Sequence, residues 1–196
     1  MKIDNIAVYE LVRKILNGGI FTRSIGVELA AKKSETVLDI GCGTGVYSKI
    51  VPGTYIGLDI NRRLISYAQQ KYSSNQRSFY NQSLEEFILK KTSHPIDKCL
   101  IINVLHHLSD KEVNSLLKLV NHIVKEKIII VDTDKGGANI FQRFLYLFDD
   151  GHFIRTRDEL RHLITKHFRI KRDFIFCTPT RSILLCLFNC IPLRST

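Results

Sequence analysis

Three glycines alternate behind an acidic residue in Asp39-Ile40-Gly41-Cys42-Gly43-Thr44-Gly45, and this run constrains the chain more than any other. Glycine reaches positive φ without steric penalty and lets the backbone approach a ligand closely. The run closes a β-type segment, Thr36-Val37-Leu38-Asp39-Ile40, and opens a short helical stretch over residues 46–51. A glycine-rich turn from strand to helix is where open α/β sheets hold ligands, outside the carboxyl ends of their strands. A nucleotide-like ligand is therefore expected here. A pyrophosphate-binding loop reads Gly-x-Gly-x-x-Gly, so that a helix N-terminus can face the phosphates. In this chain the third glycine is the fifth residue, Gly45, and Val46 takes the sixth place. No Gly-Lys-Ser/Thr follows, which excludes the other common phosphate loop.

The rest of the chain alternates short β-type runs with helical periodicity, the pattern of an α/β sheet with crossover helices. Residues 4–17 and 24–33 read as two N-terminal helices about the turn Asn17-Gly18-Gly19, with Ser24 as N-cap of the second. Tyr55-Ile56-Gly57-Leu58-Asp59 is the second strand, and Asn61 caps a helix over 62–72. Short strands follow at 78–82 and at Cys99-Leu100-Ile101-Ile102-Asn103. Ser109 with Glu112, and Thr156 with Glu159, have the spacing of capping boxes. The first starts a helix with Val113, Leu116, Leu117, Val120, Ile123 and Val124 at helical spacing, and the second starts a helix over 158–167. A fifth strand spans 127–132. The extended runs 168–177 and 182–189, about Thr178-Pro179-Thr180, predict a terminal hairpin. Asp59 ends the second strand beside the glycine loop, where a carboxylate can accept from both hydroxyls of a ribose.

These motifs resemble the class I S-adenosylmethionine-dependent methyltransferases. Val37–Gly45 looks like their first motif, Gly57-Leu58-Asp59 like the second and Asn103-Val104-Leu105-His106-His107-Leu108 like the fourth. The small-molecule and quinone methyltransferase-like branch is nearest, and the order of elements agrees over roughly residues 24–190. The resemblance implies one Rossmann-like three-layer α/β domain over residues 1–196, with a mostly parallel seven-stranded sheet and an antiparallel last strand. It also implies S-adenosylmethionine as cofactor. Asp39, Gly41, Cys42, Gly43 and Gly45 would face its methionine and ribose end, together with Asn103, and Ile60 would pack on the adenine. The family's third motif usually offers an acidic residue to the adenine amine. Ser83 stands there instead, so that contact would rest on the Ser83 hydroxyl and the Leu84 backbone, with Gln82 as alternative.

A methyl sulfonium is already an activated electrophile, so a base is needed only when the acceptor must lose a proton. His106 and His107 follow the fourth strand at the cofactor edge, and imidazole suits that role near neutral pH, with His106 the first choice of the two. His152 is a further candidate. It follows the aromatic segment 140–148, whose Phe141, Phe144, Leu145 and Phe148 share a helical face. Residues 136–155 are expected to form a lid that carries acceptor specificity, with Gly151 as a hinge. Some relatives hold a divalent metal with Glu-x-x-Glu-His at the fourth motif. This chain has Asn103-x-x-His106-His107, without either carboxylate, and no metal is expected.

Composition limits the partners. Lys and Arg number 29 against 19 Asp and Glu, a formal charge of +10 that favours anionic groups. The expected acceptor is a small or lipid-like molecule, which an anionic group would suit. RNA is the first rival, although no Asn/Asp-Pro-Pro-aromatic run is present; a non-catalytic S-adenosylmethionine-binding protein is the second. The apolar run Leu184-Leu185-Cys186-Leu187-Phe188 reads as a core strand. The absence of an apolar signal-like segment in the first 30 residues predicts a cytoplasmic protein. The five cysteines form no Cys-x-x-Cys pair and are expected to be reduced.

Overall fold

A computed structural model describes residues 22–90, 95–137, 152–178 and 183–193. Seven strands form one sheet: β1 (Thr36–Ile40), β2 (Thr54–Asp59), β3 (Arg77–Asn81), β4 (Ile96–Ile102), β5 (Val124–Thr133), β6 (Phe168–Cys177) and β7 (Leu184–Pro192). Their order is β3-β2-β1-β4-β5-β7-β6. The first five pair in parallel, and β7 runs antiparallel between β5 and β6. The reversed terminal hairpin is thus present, with its tip at 179–182 outside the described residues.

Helices cover both faces. Residues 22–29 (α1) and Arg62–Tyr72 (α2) pack on one side, in a cluster with Ile25, Leu29, Ile65, Ala68, Tyr55 and Leu100. Leu84–Leu89 (α3), Asp110–Ile123 (α4) and Arg157–Thr165 (α5) pack on the other, around Leu38, Phe87, Leu117, Leu163, Ile164 and Phe188. On α4 the buried residues Val113, Leu116, Leu117 and Val120 recur at the spacing of one helical face. Most of β4 and the second half of β5 are buried on both faces, as central parallel strands require, which explains their unbroken apolar runs.

Local signals fix most element ends. Asn61 accepts from the Arg63 and Leu64 N–H groups, and the boxes Ser109–Glu112 and Thr156–Glu159 close as expected. Four expectations need correction. Helix α1 ends at residue 29 and not 33, because Ala30 turns to φ 46° and the buried Lys98 donates to its carbonyl at 2.7 Å. Ser24 lies inside α1 and is not its cap. The stretch after the glycine loop is a 3-10 turn, Val46–Ile50. Helix α3 was not expected: Ser83 and Glu86 form a third capping box at its start. The expected helix 4–17 and the aromatic segment 140–148 lie outside the described residues, as does Gly151.

The strand order reverses between β1 and β4, since β2 and β3 continue to one side of β1 and β5 to the other. The carboxyl ends of β1 and β4 therefore flank the crevice where such sheets bind ligands.

Candidate active site

The glycine loop leaves β1 at that crevice. The N–H groups of Gly41 and Cys42 both donate to the Leu58 carbonyl, at 2.8 and 2.9 Å, which folds the loop back onto β2. Gly41 has φ 70°, and a Cβ there would stand 2.4 Å from Val104 Cγ2. Gly45 has φ 74°, and a Cβ there would stand 2.5 Å from Phe79 Cε1. Neither position takes a side chain without displacing its neighbour, so the alternation of glycines has a steric cause as well as a conformational one.

Asp59 ties the loop to β2. Its Oδ2 accepts from Gly43 N–H at 2.8 Å and its Oδ1 from Asn61 N–H at 2.7 Å. Each oxygen keeps a lone pair for a further donor. Beside it Ile60 is 81% exposed, an apolar side chain at the mouth of a cavity of about 620 Å³. Ile40, Asp59, Gln82, Ser83, Leu84 and Val104 also line this cavity. The expected site residues Gly41, Asp59, Ile60, Ser83 and Leu84 thus meet around one space.

Two buried oxygens at the crevice have no hydrogen-bond partner among the described residues: Asp39 Oδ1 and Asn103 Oδ1. Asp39 lies near the end of β1 and accepts from the Tyr55 hydroxyl at 2.5 Å through its other oxygen. Burial pushes its carboxyl up to about 7, against the stabilising bond from Tyr55. Asn103 leaves β4 at φ 56°, a left-handed conformation that asparagine tolerates better than most residues. Buried acceptors without donors are costly, and a cationic ligand would satisfy both. Cys42 is buried, and burial raises its thiol far above the ordinary range, so it stays protonated and is no nucleophile.

The histidines divide. His106 is buried, and its Nδ1 meets Asp132 Oδ1 at 2.5 Å. Asp132 also accepts from the N–H groups of Leu105, His106 and Thr133, so it fixes the turn Leu105–His107 as a unit. His107 is exposed, its ring centroid 4.1 Å from that of His106. His152 is exposed and adjoins the same turn, because Phe153 N–H donates to the His106 carbonyl at 2.9 Å. Arg155 clamps this junction: its buried guanidinium donates to the carbonyls of Leu105, Leu108 and Phe153 and to Asp110. Neither Asp132 nor Arg155 is expected from the sequence. Asp132 lies at the carboxyl end of its strand, as Asp59 does, and that position was the available signal. Arg155 gave none, since its partners are mostly backbone carbonyls.

Residues 37–127 match the family model of a methyltransferase domain. The chain is thus similar to methyltransferase domains over the segment from β1 into β5. It is similar to the O-methyltransferase cnsE of Penicillium expansum, at 28% identity over 159 residues. That match covers 75% of this chain and 56% of the relative, so the chain spans little more than half of the curated protein's length. Among solved structures, magnesium protoporphyrin IX methyltransferase from Synechocystis PCC 6803 with bound SAH superposes with TM-score 0.69. Identity is 21%, over 88% of this chain and 82% of that one. The N-methyltransferase NodS from Bradyrhizobium japonicum WM9 superposes with TM-score 0.69 and 15% identity, over 91% of this chain and 100% of that one. The chain thus has the Rossmann-like α/β fold that its motifs imply. Among the described residues, no helix is long and apolar enough to cross a membrane.

Proposed function

We propose that the chain transfers a methyl group from S-adenosylmethionine to a small-molecule acceptor. The observation that carries this reading is the pair of unpartnered buried oxygens, Asp39 Oδ1 and Asn103 Oδ1, beside a glycine loop held by Asp59. The cofactor supplies a cationic methyl sulfonium and an α-ammonium, and the donor-poor end of the crevice suits that charge. Asp39 and Asn103 would hold the methionine end with Gly41, Cys42, Gly43 and Gly45, Asp59 the ribose hydroxyls, and Ile60 one face of the adenine. Ser83 Oγ already accepts from Glu86 N–H as a helix cap, so it meets adenine with its own hydroxyl proton or remaining lone pair.

Orientation of the acceptor against the methyl group can supply on the order of 7–11 kcal/mol of the barrier for well-aligned reactants. His107 is the side chain we assign to taking the acceptor's proton, because it is exposed next to Leu108, which lines the cavity, while His106 is committed to Asp132. His106 holds the turn, and His152 is the alternate base. The apolar spacing of Phe141, Phe144, Leu145 and Phe148 supports a small or lipid-like acceptor, and the charge of +10 supports an anionic group on it. Calorimetric titration with S-adenosylhomocysteine tests the cofactor site. Wild type should bind and Asp59→Ala should lose at least about tenfold in affinity, the loss of charge-assisted hydrogen bonds. Equal affinities would sink the assignment.

A further inference from the structure

Gln82 lies between β3 and the Ser83 cap of α3 and lines the same cavity as Ile60. It is buried, with 8% of its surface exposed. A carboxamide offers an accepting oxygen and a donating NH2 group, and a half-turn of its terminal torsion exchanges them. Lys90, at the C-cap of α3, chooses between them: its ammonium donates to Gln82 Oε1 at 2.9 Å. An ammonium only donates, so the turned amide would set NH2 against NH3+. Nε2 has no hydrogen-bond partner among the described residues.

We propose that Gln82, oriented by Lys90, reads the purine of the cofactor as a fixed donor to N1. The inference rests on the cavity being the S-adenosylmethionine site. On its Watson–Crick edge adenine presents a single acceptor, N1, beside the donating 6-amino group. A group confined to donating can pair there only with N1. Hypoxanthine carries a proton on N1, which opposes the amide NH2. The 6-amino group then needs an acceptor, which the Ser83 hydroxyl oxygen can supply. Sites that leave a buried donor facing a donor discriminate strongly between such isosteres.

The test is titration of the full chain with S-adenosylhomocysteine and with S-inosylhomocysteine. Wild type should favour the adenine compound by about tenfold or more. Gln82→Glu, which presents only acceptors, should lower that preference by about tenfold or more. Lys90→Met removes an exposed side chain and frees the amide to turn, so the preference should narrow by about threefold or more, with the melting temperature unchanged. An unchanged preference in both variants overturns the role of Gln82. Failure of wild type to bind S-adenosylhomocysteine overturns the cofactor reading itself.

Discussion

Asp39→Asn should stabilise the ligand-free protein at high pH while weakening its ligand. The Asp39 carboxyl moves from 3.8 to about 7 on folding, because burial disfavours its charge. A raised carboxyl gives stability that is fully present below the unfolded value and is lost as pH rises through the folded value. Over pH 4 to pH 8 the wild type should therefore lose roughly 4 kcal/mol from this group, of which about 2.5 falls between pH 5 and pH 8. Asparagine keeps the shape and can accept from the Tyr55 hydroxyl, but it does not titrate. Its amide leaves one buried group without a partner, a penalty of about 1–3 kcal/mol that does not vary with pH. The slope of the stability difference is thus the decisive quantity. Urea unfolding of both proteins at several pH values measures it. A difference that stays flat from pH 5 to pH 8 would refute the claim that Asp39 is held as a costly, unsatisfied charge.

The same group predicts how the ligand titrates. An α-ammonium on the ligand favours ionised Asp39, so affinity for S-adenosylhomocysteine should fall about tenfold from pH 8 to pH 6, with proton release seen as buffer-dependent heat; equal affinity at both values would contradict this. Gly41→Ala should cost about 1–3 kcal/mol, from positive φ and the 2.4 Å approach to Val104, and Val104→Ala should recover part of it in a double-mutant cycle. Asp132→Ala strands the donors of Leu105, His106 and Thr133 and should cost at least about 3 kcal/mol in urea unfolding. His107→Ala should instead leave stability within about 0.5 kcal/mol of wild type, since its side chain is exposed.

Local signals were legible in the sequence wherever a residue and its partner lie close together. The glycine loop, the Asn61 cap and two capping boxes depend on contacts within a few residues, and each follows from the chain alone. Asp59 was legible because strand ends in this fold class meet the loop. The α3 box, Ser83 with Glu86, carries the same signal as the others, but Ser83 also stands at the adenine position of the third motif, which masks it. The histidine pair was not legible in its division of roles. Nothing near His106 marks it for burial; Asp132 does so, 26 residues along the chain and on the neighbouring strand. Arg155 likewise acts through carbonyls 47 and 50 residues away. Such partnerships come from sheet topology, which composition and periodicity do not specify.

Methyl transfer itself is tested most directly with methyl-labelled S-adenosylmethionine and a fractionated cell extract. Label is expected in the small-molecule fraction, lost in Asp59→Ala and greatly reduced in His107→Ala. Label in the RNA or protein fraction, or in none while S-adenosylhomocysteine still binds, would contradict methyl transfer to a small molecule.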